Sequence, residues 1–180
     1  MKAITLWQPW ASMLACGAKQ FETRSWATNY QGPIAIHAAA ISIPRILKQM
    51  FPLGEWSYAP DYVAKQSFLN AVGKALEDYV SIEDVVGYLS ELPRGMIIAT
   101  AELVGCWEIA KDPEGPFVCR PHFADRHPDI DRVMRGNEIL FGDWTPGRYA
   151  WEFANMTMLP QPIPATGRQG LWNWDARVNA

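Results

Sequence analysis

Gly17-Ala18-Lys19-Gln20-Phe21-Glu22-Thr23-Arg24-Ser25-Trp26 places three ionisable side chains, Lys19, Glu22 and Arg24, among apolar and aromatic neighbours. Charge set against Trp and Phe is costly to bury unpaired. The stretch is therefore either an ion network that fixes a junction in the fold or a site built to hold something polar. The alternation from Gln20 to Trp26 predicts a strand with Glu22, Arg24 and Trp26 on one face. Lys19 stands at the entry to that strand, close enough to point into the same space. Gly17 suits a helix stop, because it takes the left-handed conformation without a Cβ penalty. The helix it ends reads from Trp10 to Ala15, with Pro9 in its first turn, and Ile4 to Leu6 reads as a strand leading into Leu6-Trp7-Gln8-Pro9-Trp10-Ala11-Ser12.

Further along, Gly32-Pro33 marks a turn and Ile34 to Ala39 a buried strand. Ser42 is a candidate cap for a helix over Pro44 to Met50. A loop follows from Phe51 to Pro60, then apolar residues near helical spacing from Asp61 to Val80. Ser81-Ile82-Glu83-Asp84 opens another helix through Leu89. Leu92-Pro93-Arg94-Gly95 turns the chain into an apolar strand, Met96 to Val104, which carries Glu102. The polar run Lys111 to Asp143 reads as a long loop with one short helix. Arg148 to Phe153 reads as a strand, with Ala154 to Leu159 its continuation or its partner. Short strands separated by turns, with helices between them, predict an α+β fold: one domain over residues 1–180, a small mixed β-barrel with flanking helices and a helical insertion at about 51–92.

Composition narrows the function classes. Lys plus Arg total 16 against 19 Asp plus Glu, a net charge of −3. Extended duplex DNA is disfavoured, because sequence-independent duplex binding needs a broad basic face; a locally basic pocket for one or a few nucleotides is compatible. No run of about 18 apolar residues predicts a membrane span, and the start MKAITLWQPW lacks the pattern of a secretory signal. Cys16, Cys106 and Cys119 are odd in number and widely spaced, which predicts a reduced, cytoplasmic protein.

The motif GxKxxExR, Gly17 to Arg24 here, is similar to that of the activating signal cointegrator homology (ASCH) family. LWQPWAS before it, SWATNYQGPIAIHAA after it, PRGMIIATAELVGCW, FGDWTPGRYAWEF and RQGLWNW also resemble that family, in its bacterial and phage-type members. The resemblance implies a PUA-like fold, a small mixed-strand barrel flanked by helices and related to domains that bind RNA or single modified bases. It places Lys19, Glu22 and Arg24 at a cleft beside the barrel. Activities across the family differ: nucleic-acid binding, RNA cleavage, and hydrolysis of acetylcytidine by amidohydrolases that keep the Lys but carry Thr where this chain has Glu22.

These residues suggest a division of labour. Lys19 and Arg24 can grip a phosphate or carbonyl, Arg24 in bidentate fashion, and Glu22 can accept hydrogen bonds from the exocyclic amine of a base. Trp7 or Trp26 is the candidate stacking platform. Gln8 either reads a base edge or caps the helix after it. The expected function is recognition of RNA, or of a single nucleotide or nucleoside, in a nucleobase-sized cleft. The alternative is a small metal-independent hydrolase, an acylated-nucleoside amidohydrolase or a ribonuclease, with Lys19 and Glu22 as catalytic base and electrostatic stabiliser in either assignment. No cofactor is implied. Cys119, His122 and His127, with Asp125 and Asp129, match neither zinc nor calcium spacing, so no metal is assigned. His37 reads as a satisfied core histidine. Glu102 is either a second carboxylate facing the cleft or solvent-facing, and Gln169, Gly170 and Trp172 either wall the pocket or pack as a terminal segment.

Overall fold

Alternating apolar positions build eight strands of the described residues into one mixed sheet. The structure, a computed structural model, describes residues 1–42, 71–74, 82–111, 117–121 and 132–175. Its strands are β1 (Lys2–Leu6), β2 (Phe21–Arg24), β3 (Gly32–Ala38), β4 (Met96–Lys111), β5 (Phe117–Pro121), β6 (Arg132–Val133), β7 (Tyr149–Pro164) and β8 (Leu171–Asn173). The helices are α1 (Trp10–Ala15), α2 (Ile82–Glu91) and α3 (Asn137–Leu140). The strand order is β2-β7-β4-β3-β1-β8, with β5 pairing with β4 and β6 with β5. β1 runs parallel to β3, placing Ile4 opposite Ile36; the remaining pairs are antiparallel.

The largest core cluster among the described residues gathers Ile4, Leu6, Leu14, Ile34, Ile36, Leu103, Trp151 and Phe153. α1 lays Ala11, Leu14 and Ala15 onto it. Gly17, at φ +80°, ends this helix as its sequence position predicts, its N–H donating to the Leu14 carbonyl at 3.1 Å. Parallel pairing of β1 with β3 requires a crossover, and that crossover holds α1 and β2, which carry the charged motif.

The expectation of a barrel is corrected. The sheet path has two ends, β2 and β8, and no backbone ladder joins them among the described residues. These end strands are the four-residue Phe21–Arg24 and the three-residue Leu171–Asn173. The seam is spanned by a side chain instead: Arg24 Nη2 of β2 donates to the Thr5 carbonyl of β1 at 3.0 Å. Register shifts between β4 and β7, at Ile97/Ala99, Thr100/Glu102 and Leu103/Gly105, curve the sheet toward this near-closure.

Two further differences concern the second half of the chain. The stretch read as a loop from Lys111 contains β5 and β6, and β4 itself continues past Val104 to Lys111. The alternation persists there, with Trp107 and Ile109 buried and Glu108 exposed, but the dense Pro, Gly and Asp content that follows hides it. Ala154 to Leu159 continues β7, which runs on to Pro164. Pro160, Pro162 and Pro164 thus sit inside a strand whose outer edge, beyond Glu152, no described strand pairs.

Of the predicted insertion, residues 71–74 are helical with Val72 fully buried, and α2 matches the helix expected from Ser81 to Leu89. The helix expected over Pro44 to Met50, the Phe51 to Pro60 loop and the rest of the Asp61 to Val80 helix lie outside the described residues. No described helix is long and apolar enough to cross a membrane.

Candidate functional site

The pleat of β2 turns Phe21 and Thr23 into the core and leaves Glu22 and Arg24 together on the other face. Lys19 reaches them from the strand entry. Its Nζ donates to Glu22 Oε2 at 2.9 Å and to the Phe141 carbonyl at 3.1 Å, and the residue is only 2% exposed. Glu22 Oε1 lies 3.5 Å from Arg24 Nε, a buried atom with no hydrogen-bond partner among the described residues. Trp26 falls just beyond β2, and its ring meets Trp151 edge-on at 4.5 Å and 88°.

Sequence reasoning missed a fourth member, Glu138 of α3. Its Oε1 accepts the backbone N–H of Gln20, 118 residues away, while its Oε2 is buried without a hydrogen-bond partner among the described residues. Burial pushes the Glu138 carboxyl above its ordinary value of 4.5, and Glu22 adds to the rise; the Gln20 N–H and the Lys19 ammonium pull the other way without reversing it. The folded state therefore holds this proton more tightly than the unfolded chain, so its contribution to stability is present below pH 4.5 and lost as pH rises through the raised value. Glu138→Gln keeps the acceptor for Gln20 and removes the titration. Its stability relative to wild type, read by urea unfolding, should improve as pH rises through that window. A difference that stays constant with pH would contradict the assignment.

A cleft of about 860 Å³ opens at the seam, lined by Thr5, Trp7, Arg24, Trp26 and His37 and by the segment Ala165 to Gly170. Trp7 and Trp26 are 44% and 38% exposed. The segment lies flush against the sheet because residue 167 is glycine: a Cβ there would sit 2.6 Å from His37 Nδ1 and 2.9 Å from Thr5 Oγ1. His37 is buried and half-satisfied. Its Nε2 is 3.0 Å from the Ala165 carbonyl, an acceptor, so this nitrogen carries the proton, and Nδ1 is left as a buried acceptor without a partner among the described residues. Burial lowers the His37 pKa, which keeps the ring neutral near pH 7. The lining includes Arg24 and Arg168 and contains no Asp or Glu.

A second cavity, about 510 Å³, is lined by Trp7, Trp10, Glu22, Phe141, Asp143 and Arg148 among others. The Asp143 carboxylate accepts the Thr145 hydroxyl at 2.6 Å and lies 3.3 Å from Arg148 Nε; the hydroxyl first, and Arg148 after it, hold its pKa low.

The predicted residues are thus distributed unevenly. Trp7, Arg24 and Trp26 share the large cleft, Glu22 faces the small cavity, and Lys19 is buried behind the pair it forms with Glu22. Gln8 is fully buried: Nε2 donates to Ser12 Oγ and the Pro93 carbonyl, and Oε1 accepts the Ser12 N–H. Of its two expected roles, this geometry is that of the helix brace. Gln169 and Gly170 line the large cleft, whereas Trp172 packs behind it and donates to Thr5 Oγ1 at 3.1 Å. Glu102 lines neither cavity. His122, Asp125, His127 and Asp129 lie outside the described residues. Glu138 and Gly167 could not be found from local pattern, since each acts through a contact more than a hundred residues distant in sequence.

No curated protein matches the chain at significant similarity. The ASCH domain model matches residues 4–159, from β1 through most of β7, and so spans the charged motif, Glu138 and the strands on both sides of the seam. The chain belongs to the ASCH domain family.

Proposed function

We propose that this protein binds single-stranded RNA and holds one nucleotide in the large cleft at the sheet seam. ASCH membership suggests RNA binding in general. The observation that carries the specific reading is the charge of the cleft: two arginines line it, with no carboxylate, in a chain of net charge −3. Phosphate is the anion that RNA brings in quantity, and Arg24 and Arg168 are its natural partners. Trp7 and Trp26 supply exposed ring faces, each able to contribute about 1–3 kcal/mol per stacked base. Trp151 fixes Trp26 from behind, and the Lys19–Glu22 pair fixes Arg24 from the side. The cleft is confined by the Ala165 to Gly170 segment, which suits an unpaired strand and not a duplex.

The test is binding of a short single-stranded oligoribonucleotide over a range of salt. Arg168→Ala and Arg24→Ala should each weaken binding about tenfold and flatten the log–log salt slope by about 0.7 to 1. Wild-type affinity that does not change with salt would refute phosphate contact as its basis.

A second reading, a hydrolase with Lys19 and Glu22 as the catalytic pair, draws support from Glu138, which adds beside that pair a carboxyl whose pKa is raised by burial. Under it, acylated nucleosides or RNA are converted, and Glu22→Gln abolishes turnover while substrate still binds. Product analysis of the same binding samples separates the two.

A further inference from the structure

Trp7 lines the large cleft and also the small cavity. The Glu22–Arg24 contact at 3.5 Å joins the same two spaces, because Arg24 lines the first and Glu22 the second. Two cavities that share an exposed indole and abut at one ion pair form two compartments of a single groove. Their chemistry differs, although each carboxylate of the small cavity has a cationic partner, Lys19 and Arg24 for Glu22 and Arg148 for Asp143. The large cleft carries cations and no carboxylate, whereas the small one sets Glu22 and Asp143, with Arg148, against Trp10 and Phe141. Carboxylates repel phosphate and accept hydrogen bonds from amino groups; the aromatic walls favour a flat, apolar-faced group. At about 510 Å³ the small cavity falls within the range of pockets that hold small organic ligands, about 300–1,000 Å³.

This step rests on the reading of the large cleft as a nucleotide site. We propose that the small cavity is a second base subsite, so that the ligand is a dinucleotide step of single-stranded RNA straddling Trp7, with the base beyond Trp7 selected for an exocyclic amino group. The phosphate side of the step stays with Arg24 and Arg168. The base beyond Trp7 presents its amino group to Glu22 and Asp143, an acidic acceptor pair of the kind that recognises cytosine N4. Adenine, cytosine and guanine carry such a group and uracil does not.

The test compares each ribonucleoside monophosphate with every ribodinucleotide by calorimetry, on wild type, Leu140→Trp and Asp143→Asn. Leu140 lines the small cavity only and is exposed, so a larger side chain there fills the compartment without disturbing the core. The best dinucleotides should bind at least about tenfold more tightly than any monophosphate. Leu140→Trp should erase that gain and leave monophosphate affinity unchanged. Uridine at the selected position should bind most weakly to wild type, and Asp143→Asn should narrow its deficit. Monophosphates that bind as tightly as dinucleotides, or a gain that survives Leu140→Trp, would overturn the second subsite while leaving the large-cleft reading intact. If no mononucleotide or dinucleotide binds at all, the large-cleft reading falls, and the second subsite falls with it.

Discussion

Lys19→Ala should be less stable than wild type by about 3–5 kcal/mol, with Tm lowered by roughly 10 °C. The Lys19 side chain is 1% exposed and that of Glu22 13%, so water cannot replace the ammonium once it is gone. Three losses combine. Glu22 Oε2 loses its partner at 2.9 Å and keeps only Arg24, at 3.5 Å from its other oxygen. The Phe141 carbonyl loses a buried donor. Glu138 loses the cation that, after the Gln20 N–H, partly offsets its burial. Lys19→Met separates charge from volume: it fills the same space and leaves Glu22 just as bare. If Met restores most of the stability, the cost in Ala was cavity; if it restores little, the ion pair carries it. Urea unfolding at pH 7 makes the comparison, and a Lys19→Ala protein as stable as wild type would refute the structural role of the pair. Any loss of RNA binding in a Lys19 variant must therefore be measured on folded protein, well below its Tm.

Trp151→Ala should cost a comparable amount, about 3–5 kcal/mol, and should also weaken RNA binding in the fraction that remains folded. Trp151 is fully buried in the same core cluster as Leu14 and Phe153, paired on β2 with Glu22 and on β4 with Cys106. It supports the cleft by two contacts: the edge-on packing against Trp26, and the indole N–H that donates to the Trp26 carbonyl at 3.3 Å. Trp151→Phe keeps a ring against Trp26 but loses the donor. Affinity should therefore rank wild type, then Phe, then Ala, with titrations run at a temperature where all three are folded. Equal affinity in all three would show that Trp26 needs no support, or that it does not touch the ligand.

Local pattern carried the reading as far as local pattern can. Period-two alternation placed Glu22 and Arg24 on one face of a short strand, and their side chains meet there. A glycine at position 17 marked the end of α1, and the order of motifs along the chain identified the family. What the sequence withheld depends on long-range register. Closure of the sheet is decided by whether β2 pairs with β8, two strands about 150 residues apart whose pairing no local pattern states. Glu138 joins the charged cluster only because α3 is folded back onto Gln20. Lys19, read as a group that could touch a ligand, lies 2% exposed, because the Phe141 carbonyl that holds it comes from far along the chain. β5 and β6 were hidden because turn-forming residues outnumber the strand formers around them.

The prolines at positions 160, 162 and 164 have a consequence for how this molecule meets its neighbours. A long, exposed strand with an unpaired margin is a template on which another chain can lay down a strand of its own. In the outer half of β7 three of the residues have no N–H to donate, and they recur at every second position. A visiting strand would find a ladder with missing rungs. The edge is thereby blunted against sheet-to-sheet aggregation, even though Met158 beside it is 59% exposed.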